Sequence, residues 1–120
     1  MLGYHEKINI NSISYSPPSK LFIITGNNGL IKRSTNYGDN WTNIPSNTTN
    51  NLLNVCLNTY YYLAVGQGGT IILSTNFGQN WTLAISPTTE DLNYVSNFVM
   101  TSWFIAVGNH GVVFLHTRII

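Results

Sequence analysis

Charged side chains are nearly missing from this sequence, with five Lys and Arg and four Asp and Glu in 120 residues. A formal net charge of +1 generates no field able to gather nucleic acid or an anionic membrane surface, so neither is an expected partner. Cysteine is almost absent too. Cys56 stands alone, which excludes an intrachain disulfide and leaves the fold to rest on burial. Its neighbours Val55 and Leu57 read as strand, and with no cation or helix N-terminus in view to lower its pKa, the thiol is expected to be buried and inert. No apolar run exceeds strand length, so no membrane insertion is expected. Met1 to Ile10 carries His5, Glu6 and Lys7 where a signal peptide has an apolar stretch. The expectation is a soluble protein, cytoplasmic or virion-associated.

What the chain has in place of charge is Asn, 17 residues of it, spread through turns and not run together as in a disordered tract. Asn40, Asn47 and Asn80 each begin a glycosylation-type triplet, a weak signal in so Asn-rich a chain. With 43% hydrophobic residues the chain is long enough for one domain with a real core.

Self-similarity is the main signal. Gly26-Asn27-Asn28-Gly29 is matched by Gly66-Gln67-Gly68-Gly69, and Ser34 to Trp41 by Ser74 to Trp81, both at an offset of 40 residues. In the second pair six of eight positions are identical. A third copy begins at Gly108-Asn109-His110-Gly111, offset by 42. Around these motifs lie short segments rich in β-branched and aromatic residues and bounded by turn residues, which predict strands. An inner strand is expected near Ile13 to Tyr15, Leu53 to Leu57 and Tyr94 to Val99, followed by a more apolar one at Leu21 to Thr25, Tyr61 to Val65 and Trp103 to Val107. The glycines Gly26, Gly29, Gly66, Gly69, Gly108 and Gly111 are then expected to permit a tight hairpin through positive φ. A third strand follows at Leu30 to Arg33, Thr70 to Leu73 and Val112 to Leu115, and Trp41 or Trp81 opens a fourth. Four short antiparallel strands per period of about forty residues is the pattern of a β-propeller blade. The fold class is therefore all-β, in three blades: residues 11–50, 51–90 and a truncated 91–120, with 4–10 able to supply the missing outer strand of the last.

The turn itself has a physical reading. Ser34 and Ser74 can bond the turn backbone, Asn36 and Asn76 can close an Asx-turn onto amides two residues on, Gly38 and Gly78 give backbone freedom, and Trp41 and Trp81 can clamp the hairpin. These residues resemble the Asp-box repeats of the bacterial-neuraminidase type, Ser-x-Asp-x-Gly-x-x-Trp, with Asn where that family usually has Asp. The longer string from Gly26 to Trp41, repeated from Gly66 to Trp81, is most similar to propellers of the photosystem II assembly-factor type. The resemblance implies a scaffold and not an activity, because the box occurs in enzymes, receptors and assembly factors alike. A sialidase would need three clustered arginines and a carboxylate pair, whereas this chain has only Arg33 and Arg118.

Three blades leave an apolar face bare at each end. The expectation is a homodimer closing a six-bladed ring, the alternatives being another ring size, an open head-to-tail assembly, a fragment of a longer chain, or completion by another polypeptide. No metal site or other cofactor is expected, since His5, His110 and His116 lie far apart without Cys or carboxylate at ligand spacing, and His116 takes the place of Ser34 and Ser74. Glu90 and Asp91 should diverge from one another and form a solvated loop. Lys32 and Arg33 are read as a solvated blade edge. Tyr60, Tyr61, Tyr62 and Trp103 divide between core and a rim able to bind a protein or a glycan, alternation sending neighbours to opposite faces. The function expected is a non-enzymatic interaction or assembly module, the alternatives being a structural subunit of a virion or a glycan-acting hydrolase.

Overall fold

The computed structural model describes residues 8–58, 61–97 and, the last five by backbone alone, 103–116. Within them every regular element is a strand or a single 3-10 turn, as short β-branched segments punctuated by Gly, Asn and Pro dictate. The first sheet joins β1 (Ile10–Ser16), β2 (Leu21–Gly26), β3 (Ile31–Ser34) and β4 (Thr42–Asn43) as an antiparallel meander. The second repeats it with β5 (Leu52–Leu57), β6 (Tyr62–Gly66), β7 (Ile71–Ser74) and β8 (Thr82–Leu83). The third holds three strands among the described residues, β9 (Leu92–Asn97), β10 (Trp103–Gly108) and β11 (Gly111–His116). The fourth strands are only two residues long and start after the tryptophans, not at them. Ile10, at the end of the segment expected to complete the last sheet, pairs instead with Gly26 in the first. Residues 4–7 lie outside the described residues.

The sheets stack face to face, and the apolar strands that showed no alternation are the ones buried on both sides. One core lies between the first two sheets, where Leu21, Ile23 and Ile31 meet Leu52, Val55, Tyr62, Ala64, Ile72 and Trp81. The next repeats it one sheet on, with Leu63, Val65, Ile71 and Leu73 against Leu92, Val95, Phe104 and Ala106. Each sheet thus has a leading face, turned to the sheet before it, and a trailing face, turned to the sheet after. Each fully buried aliphatic or aromatic side chain contributes about 1.5–3 kcal/mol, and these repeated layers hold the sheets together.

Between sheets the ties are carboxamides and hydroxyls. Asn11 Nδ2 donates to the Leu52 carbonyl (2.9 Å), Ser12 Oγ accepts from Val55 N (3.3 Å), Asn54 Oδ1 accepts from Val95 N (2.9 Å), and Asn97 Nδ2 donates to the Leu57 carbonyl (2.6 Å). Most of the asparagine that looked like turn filler on the inner strands is therefore structural cross-linking of backbone groups that a stacked sheet would leave unpaired.

The hairpin glycines act in two ways, and only one was expected. Gly29 and Gly69 do sit at φ +72, where a side chain is strained. Gly26, Gly66 and Gly108 do not; the first two have extended backbone at φ −160 and −166. They are needed because a Cβ there runs into the carbonyl oxygens of Asn9, Asn51 and Asp91, which cross directly over them. The same three carbonyls accept hydrogen bonds of 2.9–3.0 Å from the N–H groups of Asn27, Gln67 and Asn109. The third corner is tighter than the other two, pairing Gly108 with Gly111. That shortening moves the register, so His116 faces Trp103 across the hairpin, whereas Ser34 and Ser74 face Phe22 and Tyr62. His116 therefore does not take the serine's place.

Candidate interaction face

Strand direction alternates along each sheet, so the β1–β2 and β3–β4 connections fall at one end of the stack, together with their counterparts in the second sheet. The two Ser-Thr-Asn turns are built there to one plan. Ser34 Oγ accepts from Gly38 N (2.8 Å) and donates to Asn36 Oδ1 (2.9 Å); Ser74 does the same with Gly78 N (2.8 Å) and Asn76 Oδ1 (3.1 Å). The carboxamide oxygen of Asn36 accepts from Asn40 N and that of Asn76 from Asn80 N, both at 2.9 Å. These amides are four residues on, not two, so the loop is wider than an Asx-turn. Asn36 Nδ2 and Asn76 Nδ2 also donate to Asn40 Oδ1 and Asn80 Oδ1 (2.9 and 2.7 Å), a bond a carboxylate could not give. Trp81 is buried and its indole donates to the Gly78 carbonyl (3.0 Å), whereas Trp41, on the bare leading face of the first sheet, is only half-buried.

This wrapping has a cost at the turn's aromatic. Tyr37 and Phe77 adopt φ 60 and 59, left-handed backbone that bulky residues seldom enter and that costs about 1–2 kcal/mol. Both rings remain 57% and 43% exposed, so core packing does not account for aromatic residues there. Tyr37 N donates to the Lys20 carbonyl (3.3 Å), and Lys20 Nζ lies 5.6 Å from the centre of the Tyr37 ring. From Tyr37 a chain of rings runs inward, through Tyr15 (6.4 Å) to Phe22 (4.7 Å, stacked) and Trp41 (6.2 Å). Desolvation, followed by the charge and hydrogen bond of Tyr37, pushes the Tyr15 phenol up. The result is an exposed aromatic rim with Lys20 beside Tyr37 and Arg33 beside Phe77.

Of the residues the sequence nominated for binding, the structure divides the set. Tyr62 is core, with its ring 6.2 Å from Trp81 and its phenol pushed up first by burial, against which Ser14 and Ser16 pull it down. Tyr61 is half-buried against the second core and Trp103 is exposed, while Tyr60 lies outside the described residues. Sequence reading missed Tyr15, Tyr37 and Phe77 as surface aromatics. The signal was available: the turn motif carries Tyr in one copy and Phe in the other at the same place.

Other candidates are structural. Lys32 is buried, not solvated, and donates to Asn43 Oδ1 (2.7 Å), while Arg33 Nε donates to the Phe77 carbonyl of the next turn (2.9 Å). Glu90 and Asp91 diverge: one pairs with exposed His110 Nδ1 (2.9 Å) and the other accepts from Gly68 N (2.9 Å). Burial pushes the half-buried Cys56 thiol up to about 12, the opposite of nucleophile activation. At the far end of the stack an open groove of about 750 Å³, lined by Gly29, Ile31, Asn43, Pro45 and Asn47 among others, contains no ionisable side chain. Among the described residues no three His, Cys, Asp or Glu converge as metal ligands, and no helix is long and apolar enough to cross a membrane.

Two solved structures of YCF48, a β-propeller, superpose on this stack of sheets. The fold is propeller-like. YCF48 from Cyanidioschyzon merolae matches 98% of this chain with a TM-score of 0.80 at 19% identity, and YCF48 bound to D1 peptide matches 97% with a TM-score of 0.63 at 14% identity. The chain spans 37% and 41% of the length of those two proteins. No family model and no curated protein matches it.

Proposed function

We propose that this chain is a non-enzymatic, propeller-type assembly module that binds an extended segment of a partner protein at the aromatic rim. The observation that carries the reading is the pair of turn aromatics, Tyr37 and Phe77, kept exposed at a backbone conformation that disfavours them. Local strain at side chains left on the surface is a mark of surfaces shaped by use. Exposed Tyr, Phe and Trp rings offer large contact area at small entropic cost, and a neighbouring Lys20 adds a donor for a carbonyl or carboxylate. A structure of similar fold, YCF48, is known with D1 peptide bound, which supports a peptide as the ligand class. Divergent carboxylates and a thiol raised to about 12 support the absence of catalysis.

The test is selection of displayed peptides on the purified chain, followed by fluorescence titration of the enriched peptide, with D1 peptide run alongside. Tyr37→Ala and Phe77→Ala are expected to weaken the enriched peptide tenfold or more without loss of folded signal. Failure of any peptide to enrich, or equal binding by both variants, overturns the reading.

A further inference from the structure

We propose that the leading face of the first sheet and the trailing face of the third are two halves of one interface, and that a second copy of this chain fills both, head to tail, closing a ring of two copies. The proposal builds on the propeller-like reading; it would cover Trp41 as the internal seam covers Trp81, and leave the turn aromatic Tyr37 at the end of the stack as that seam leaves Phe77.

The molecule already contains this interface twice. Val55 and Val95, on the leading faces of the second and third sheets, are 4% and 1% exposed beneath the sheet before them. Their register counterpart in the first sheet is Ile13, which is 58% exposed. Ile10 is likewise exposed where Leu52 and Leu92 are buried. The trailing side shows the reverse: Val65 is wholly covered, and its counterpart Val107 in the last sheet is 37% exposed. Each half is thus present, apolar and uncovered among the described residues, one at each end of the stack.

A polar rule runs along the same seam. The N–H of the third corner residue, Asn28 or Gly68, donates across to the side chain of the residue just before the next inner strand, Asn51 or Asp91. Asn9 is the residue just before β1, and its carbonyl takes Asn27 N as those of Asn51 and Asp91 take Gln67 N and Asn109 N. The third corner residue of the last hairpin is His110. Continuing the pattern sets His110 N of one copy against the Asn9 carboxamide of the next. At one point the pattern changes, since Tyr94 stands where Ser12 and Asn54 accept a backbone N–H, and there the seam is apolar. The occupant is a second copy because both halves of the seam, apolar and polar, belong to this one sequence, and twice three sheets falls within the four to eight that close a propeller.

Light scattering during size-exclusion chromatography reads the outcome directly. The purified chain is expected at twice its 13.4 kDa mass. Ile13→Asp and Val107→Asp, each at an exposed position, are both expected to run at the single-chain mass, with circular dichroism confirming that they fold. Should either unfold, Ile10→Asp and Tyr94→Asp replace them. Mixing the leading-face and trailing-face variants leaves one unaltered seam per pair and is expected to restore the doubled mass. A monomeric wild-type chain, an assembly larger than two, disruption by only one of the two variants, or no recovery on mixing overturns the proposal. A monomer that still binds its selected peptide leaves the functional reading standing, and a dimer that binds none leaves the ring standing.

Discussion

Two glycines two positions apart are required to different degrees, and substitutions separate them. Gly66 lies under the Asn51 carbonyl, so Gly66→Ala forces the strand apart and is expected to cost about 1–3 kcal/mol in urea unfolding. Gly68, at φ +69 with nothing closer than 3.6 Å to an added Cβ, has Asn28 as its counterpart at φ 61, so Gly68→Asn is expected to change stability by no more than about 0.5 kcal/mol. Ser74 is fully buried and its Oγ serves three partners, so Ser74→Ala leaves Gly78 N without an acceptor and is expected to cost about 1–3 kcal/mol. Cys56 supplies a pH test. Its thiol is raised from 9.0 to about 12 by burial, so the unfolded chain releases its proton first and stability falls as pH rises through that window. Cys56→Ala is expected to flatten that alkaline loss between pH 8 and 11, read as the urea midpoint, while in the native chain the thiol stays unreactive to disulfide reagents at pH 8.

Among the elements, the turn that links the third and fourth strands does the most to fix each sheet, and its two copies differ in setting. Trp81 is covered by the preceding sheet, so Trp81→Ala is expected to cost about 3–5 kcal/mol, and Trp41→Ala, at a half-buried position, clearly less in the isolated molecule. This element was the most legible part of the sequence, because side-chain bonds to specific amides demand Ser, Asn and Gly at set places whatever surrounds them. Strand existence was legible for the same local reason, through β-branched runs and glycine corners. Which face a side chain shows was not. A strand buried on both sides carries no alternation, so Tyr60 to Tyr62 could not be sorted into core and rim, and Lys32 gave no sign that Asn43 would receive it inside the sheet. The one-residue shortening of the last corner was equally hidden, since Gly-x-x-Gly spells both the wide and the tight turn.

For the molecule as a whole, stability comes from a repeated apolar layer plus a repeated set of hydrogen bonds between neighbouring sheets. Tyr37 and Phe77 lie on the turns, away from those layers, which separates recognition from cohesion: variants at these two positions should alter binding and leave the unfolding midpoint nearly unchanged. Neutral amides and hydroxyls make most of the lateral ties, Asp91 and Arg33 apart, and the His110–Glu90 pair is too exposed to contribute much. Such bonds have no ionic atmosphere to disperse. The folded chain should therefore be almost indifferent to electrolyte, with its thermal midpoint moving little between dilute buffer and molar sodium chloride, a tolerance that a stack held by charge pairs would not share.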